Sequence, residues 1–209
     1  MRLRNVKNKE EIMNNSNYLV KDPTNYKGNW NKLFKNNNPI YIEIGMGKGK
    51  FIIENAINYK NINFIGIEKN DSIVAKSLQK IPEGLDNLLI IRANALDIDN
   101  IFDKEIDKVY LNFSDPWPKT RHNPRRLSSS IFLEKYDKIF KKSCVIEMRT
   151  DNEELYKYSL TSFSSYGYRL EDISFNLHKD NMPTITTEYE DKFSKDNLPI
   201  YYVKCIKDV

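Results

Sequence analysis

Five short apolar runs, alternating with four stretches of helical spacing, set the tightest limit on what this chain can fold into. Ile40–Ile44, Phe64–Glu68, Leu88–Ile91, Val109–Phe113 and Val145–Met148 read as strands, and Phe51–Ile57, Ser72–Lys80, Ser129–Phe140 and Glu153–Tyr166 read as helices. Most of these runs are apolar on both faces, which a strand needs only when helices cover the sheet above and below. The alternation therefore predicts an α/β fold with a doubly wound, mostly parallel sheet. Two further strand-like runs, Tyr168–Phe175 and Ile200–Ile206, follow the last helix with no helix between them, so the sheet should end with an antiparallel C-terminal strand. The long segment between those runs, which includes Thr186–Glu190, lacks periodicity, and a loop of that length is expected to be functional. Residues 1–35 are polar, weakly periodic and broken by Asn14-Asn15-Ser16-Asn17 and Asp22-Pro23, which predicts a flexible basic extension ahead of a single domain spanning 36–209.

With 209 residues and 40% hydrophobic content the chain can bury a real core. The net charge of +4 permits a polyanionic partner without demanding one, and the clustering of cations says more. Basic residues gather at Arg2 and Arg4 and again from Lys119 to Arg126. No apolar run has the length of a membrane span, and the first residues lack the apolar centre of a signal peptide, so a cytoplasmic protein without a membrane partner is expected. Cys144 and Cys205 sit in apolar runs and read as reduced core thiols. With only two histidines, far apart, there is no zinc spacing and no metal is expected.

After the first strand comes Glu43-Ile44-Gly45-Met46-Gly47-Lys48-Gly49-Lys50, a strand, glycine turn and helix unit. The spacing departs from the dinucleotide fingerprint G-x-G-x-x-G, because the third glycine falls at 49. A carboxylate two residues before Gly45 suits a cationic ligand better than a pyrophosphate. S-adenosylmethionine carries an ammonium and a sulfonium, which favours it over a nicotinamide cofactor. Glu68 ends the second strand, where an acid can accept both ribose hydroxyls. Asn94-Ala95 follows the third strand, placed to receive an adenine edge.

Asn112-Phe113-Ser114-Asp115-Pro116-Trp117-Pro118-Lys119 joins the fourth strand to the basic run Thr120-Arg121-His122-Asn123-Pro124-Arg125-Arg126. Asp115 would stand at the carboxyl end of its strand, where open α/β sheets bind ligands. Pro116 and Pro118 hold the turn extended, Trp117 offers a stacking face, and Lys119, Arg121, Arg125 and Arg126 can meet phosphate. An acid, an aromatic ring and a cationic loop in one segment suit chemistry on a nucleobase.

These residues resemble the bacterial tRNA (guanine-N7-)-methyltransferases over nearly the whole chain. The resemblance rests on Glu43–Gly49, Gly66-Ile67-Glu68, the segment 112–126, Arg149-Thr150-Asp151-Asn152 and Thr187-Glu188-Tyr189-Glu190, with Arg2-Leu3-Arg4 similar to a basic amino-terminal arm. It implies a Rossmann-like class I S-adenosylmethionine-dependent methyltransferase that forms 7-methylguanosine at position 46, in the variable loop of tRNA, and releases S-adenosylhomocysteine. Glu43, Gly45, Gly47, Gly49, Glu68, Asn94 and Asp115 would serve the cofactor. Lys119, Asp151, Thr187, Glu188, Tyr189 and Glu190 would serve the substrate, with Arg2, Arg4, Arg121, Arg125 and Arg126 on phosphates. The departure is Asn94, where many members carry Asp before Ala; an amide still accepts a hydrogen bond from an adenine amino group.

Guanine N7 has a free lone pair and no proton to lose, so Asp115 is expected to stabilise charge on the purine rather than act as a base. Asp151 or Glu190 could bind the guanine N1 and N2 donors, with helix capping an equal alternative for Asp151. Trp117 and Tyr189 are candidate stacking platforms for an exposed base. Methylation of an adenine exocyclic amine, or an RNA-binding module on a degenerate core, are the competing readings. Both a monomer and a homodimer are compatible with the sequence.

Overall fold

A computed structural model describes residues 6–180, 185–193 and 198–208. Among these the chain forms one eight-stranded sheet in the order β1-β4-β3-β2-β5-β6-β8-β7. The strands are β1 (Leu19–Val20), β2 (Ile40–Ile44), β3 (Asn63–Glu68), β4 (Leu88–Arg92), β5 (Lys108–Asn112), β6 (Ser143–Thr150), β7 (Arg169–Ser174) and β8 (Tyr201–Asp208). The strands from β1 to β6 pair in parallel, and β8 inserts antiparallel between β6 and β7. A mostly parallel sheet with antiparallel C-terminal strands is the architecture the alternating pattern predicts.

Chain order reverses between β2 and β5, which are sheet neighbours. At such a switch point the loops leaving two adjacent strands part and open a crevice. Here those loops are the glycine turn after β2 and the Asp115 segment after β5.

One face of the sheet carries Ile40, Ile42, Ile44, Ile65, Ile67, Val109, Leu111, Ile146 and Met148. It packs against α2 (Trp30–Phe34), α5 (Ile98–Ile101), α6 (Ser130–Ile139) and α7 (Glu153–Ser165) through Trp30, Ile101, Leu133, Tyr136 and Phe163 among others. The opposite face carries Phe64, Leu88, Ile90 and Tyr110 beneath α3 (Lys50–Asn58) and α4 (Asp71–Leu78). Cys144 and Cys205 are free and buried within the first cluster, where burial pushes the Cys144 thiol up to about 12.

The amino-terminal segment departs from expectation in its described part. Helix α1 (Lys9–Asn15) lies on α4, and β1 extends the sheet in register with Ile90 and Ile91. Trp30 is fully buried, donating its indole N–H to the Ile101 carbonyl at 3.0 Å, while Gly28 and Trp30 donate backbone N–H groups to Glu105. The polar average of residues 6–35 conceals a few large anchors that fasten the segment to the sheet.

Candidate active site

A cavity of 660 Å³ opens at the carboxyl ends of the strands around the switch point. Its walls include Gly45 after β2, Glu68 at the end of β3, Asn94 after β4, and Phe113, Asp115 and Trp117 after β5. Four of the residues expected at the cofactor, Gly45, Glu68, Asn94 and Asp115, thus meet around one space.

The glycine turn forms because its residues can adopt backbone angles that other residues avoid. Gly45 and Gly47 have φ of 78° and 57°, and a Cβ on either would meet no protein atom, so these positions leave room beside the backbone for a ligand. Gly49 is different. It caps α3 at φ 82°, and a Cβ there would press on Ile53 and Ser77 at 3.2 Å, so helix packing alone requires this glycine.

Glu68 Oε1 accepts the Asn70 N–H at 2.9 Å. Asn94 begins a 3₁₀ turn over Ala95–Asp97, accepting the Leu96 N–H at 3.1 Å with its side-chain oxygen. Both residues line the cavity at neighbouring strand ends.

Glu43 turns away from this cavity. Its side chain shares the opposite sheet face with Asn112, which donates to Glu43 Oε1 at 2.8 Å, while Oε2 is buried with no hydrogen-bond partner. Burial raises its pKa from 4.5 to about 7, a rise that the Asn112 hydrogen bond and the nearby charge of Arg149 only partly offset. The folded carboxyl holds its proton to higher pH than the unfolded one, so protonation favours folding. This contribution is complete below pH 4.5 and is lost as pH rises through 7. Protein without cofactor is expected to lose on the order of 3 kcal/mol across that window, and Glu43→Gln should remove this component. Denaturant midpoints measured between pH 4.5 and 8 check it, and an equal pH slope in the variant would contradict it.

The segment after β5 is held in an unusual backbone shape. Phe113 and Trp117 take φ of 49° and 43°, in the left-handed region that costs a non-glycine residue about 1 kcal/mol or more. The strand accordingly ends at Asn112, one residue earlier than its apolar run. Arg126 supplies much of what holds this shape: it is 6% exposed, donates from Nε to the Pro116 carbonyl at 2.9 Å and from Nη2 to the Trp117 carbonyl at 3.2 Å, and stacks on Tyr158. Arg126 is therefore turned into the loop and not toward phosphate as expected, because it is buried with Nε and Nη2 donating to the loop's own carbonyls. Arg125 lies exposed over the Trp117 ring at 4.9 Å, and Lys119 and Arg121 are exposed beside it. Arg2 and Arg4 lie outside the described residues.

The late segment holds a short helix that periodicity did not reveal, α8 (Glu188–Phe193). Its start is a reciprocal capping box: Thr187 N–H donates to Glu190 Oε2 at 2.7 Å, and Glu190 N–H donates to Thr187 Oγ1 at 3.1 Å. The pattern T-x-x-E in residues 187–190 is the signal that could have found it. Tyr189 stacks on Phe113 with ring centroids 4.7 Å apart and donates its hydroxyl to Asp151 Oδ2 at 2.7 Å. Phe113 thus joins the cavity to the late segment. Asp151 does not cap α7; Asn152 does, accepting the Leu155 N–H at 2.8 Å. Glu188, expected at the substrate, forms ion pairs with Lys48 and Lys80, and Lys50 pairs with Asp191 at 2.6 Å. Three lysines, Lys48 of the glycine turn, Lys50 at the start of α3 and Lys80 just beyond α4, thus tie down α8.

Comparison with known proteins agrees with this geometry. A family model described as "Putative methyltransferase" matches residues 37–203. The tRNA (guanine-N(7)-)-methyltransferase of Lachnoclostridium phytofermentans is 44% identical over 100% of this chain and 99% of its own, and that of Oceanobacillus iheyensis is 47% identical over 98% of each. The solved 16S rRNA (adenine(1408)-N(1))-methyltransferase from Catenulisporales acidiphilia shares the fold at TM-score 0.63 and 12% identity, covering 91% of this chain and 95% of that one. A methyltransferase fold, an acid on the cavity wall at the switch point and full-length likeness to these relatives converge: the chain belongs to the tRNA (guanine-N(7)-)-methyltransferase family.

Proposed function

We propose that this protein transfers the methyl group of S-adenosylmethionine to N7 of a guanosine in the variable loop of tRNA. The observation that carries the reading is the placement of Asp115 and Trp117 on the wall of the cavity that also contains Glu68, Asn94 and Gly45. Cofactor residues and base-facing residues border one space.

The residues present suit this cofactor. Glu68 would hold the ribose hydroxyls, the Asn94–Leu96 turn the adenine, and the open backbone at Gly45 the amino-acid end, with Glu43 buried behind the turn and bonded to Asn112 rather than facing the cofactor. When bound, S-adenosylmethionine supplies an electrophilic methyl and leaves as S-adenosylhomocysteine. The chain's task is then to position N7, exclude water and balance charge, since N7 gives up no proton. Asp115 stabilises the positive charge that the purine gains. Asp151, exposed and oriented by Tyr189, meets the guanine donors, and the buried Thr187 and Glu190 hold the turn beside it. Among the described residues no helix is long and apolar enough to cross a membrane.

Lys119, Arg121 and Arg125 provide the phosphate footprint. Replacing Lys119 and Arg121 by Ala should weaken tRNA binding and lower the slope of log affinity against log salt by about 1.5, near 0.7–0.9 for each phosphate lost. Arg126→Met should instead cut turnover by about tenfold or more through the loosened loop, with the slope unchanged. A slope that falls equally in Arg126→Met would return Arg126 to the tRNA-facing set. The site on tRNA is tested with transcripts in which the variable-loop guanosine is replaced by adenosine: incorporation should vanish, and full incorporation would place the target elsewhere.

A further inference from the structure

Arg149 stands on β6 in register with Asn112 of β5, and Tyr202 of β8 flanks it on the other side. Its side chain is 5% exposed, a setting in which a guanidinium must be well paired to persist. Nη1 donates to the Ile185 carbonyl at 2.7 Å and lies 3.6 Å from Glu190 Oε2, while the guanidinium covers the Phe51 ring at 5.0 Å. Asn112, its register neighbour, holds Glu43. A buried row of Glu43, Asn112, Arg149 and Glu190 therefore runs from the glycine turn to the start of α8. Each acid keeps one buried oxygen without a hydrogen-bond partner among the described residues, Oε2 of Glu43 and Oε1 of Glu190, the latter 3.9 Å from His178 Nε2.

Other ties to α8 are weaker. The lysine pairs to Glu188 and Asp191 are partly exposed, and exposed pairs contribute little and fade with salt. Arg149 instead grips both sides of the capping box, at the carbonyl of Ile185 before it and the carboxylate of Glu190 that closes it. It is not among the residues lining the cofactor cavity.

We propose that Arg149 is a positioning residue for the methyl-accepting side, acting through Glu190 and the Ile185 carbonyl to aim the Thr187–Glu190 turn at the guanosine. This rests on the reading that the turn meets substrate. Arg149→Met is expected to lower kcat/KM for tRNA by about 100-fold, mainly through KM, while the Kd for S-adenosylhomocysteine stays within about threefold. Arg149→Lys should recover about tenfold of the loss, because charge returns without the second donor. Glu190→Gln should match Arg149→Met, and the double variant should cost no more than the worse single one, as for residues acting as a unit. If Arg149→Met does not fold, Arg149→Lys carries the test, with KM for tRNA raised about tenfold and cofactor affinity held. Unchanged tRNA kinetics at Arg149 with loss at Glu190 would overturn the proposal, as would equal losses of cofactor and tRNA affinity, which mark a purely structural residue. Unchanged kinetics in Glu190→Gln would overturn the reading of the turn itself, and this inference with it.

Discussion

Asp115→Ala is expected to lower kcat by about three orders of magnitude in a protein that still folds and still binds S-adenosylhomocysteine. Removing one group aimed at developing charge typically costs 10²–10³ in rate, and Asp115 is exposed on the cavity wall, supporting no core contact. Its turn takes its shape from Arg126 and from the Phe113 N–H bonded to the Arg149 carbonyl at 2.8 Å, none of which the substitution touches. Asp115→Asn separates charge from shape: it keeps the polar contact and should recover little activity if charge is what matters. Single-turnover methylation with saturating tRNA measures this, and wild-type rates in Asp115→Ala would remove the residue from the reaction.

The second large effect is on stability. Trp30→Ala is expected to cost about 3–5 kcal/mol, the range for a fully buried aromatic replaced by Ala. Trp30 packs on Tyr26 and Phe102 and satisfies the Ile101 carbonyl, so the variant leaves both a hole and an unpaired acceptor. Urea unfolding reads the change directly. A loss below about 1 kcal/mol would show that the amino-terminal segment is the detachable extension its composition implies.

The parallel sheet was legible because strands covered on both faces leave long apolar runs, and Ile40–Ile44 or Phe64–Glu68 stand out against a polar background. The amino-terminal packing was not legible, since it depends on one tryptophan and a two-residue strand within polar sequence. At the site, Gly45, Glu68, Asn94 and Asp115 declare themselves by following successive strands. Arg126 did not: a cation beside other cations reads as solvated, and only the loop's carbonyls reveal where its donors go. Arg149 was hidden for a related reason. A charged residue inside an apolar strand signals its strand position but not its partners, which arrive from a segment some 40 residues later in the chain. Lys48, Lys80 and Glu188 are likewise ordinary surface residues until the fold brings α8 against the glycine turn.

The most direct measurement is the identity of the modified nucleoside. Purified protein incubated with unmodified tRNA and methyl-labelled S-adenosylmethionine, followed by digestion and nucleoside separation, should yield label in 7-methylguanosine, and Asp115→Ala should yield about a thousandfold less at equal times. Label in a methylated adenosine, or no incorporation by wild-type protein that binds both partners, would contradict the assignment of this site to guanine N7.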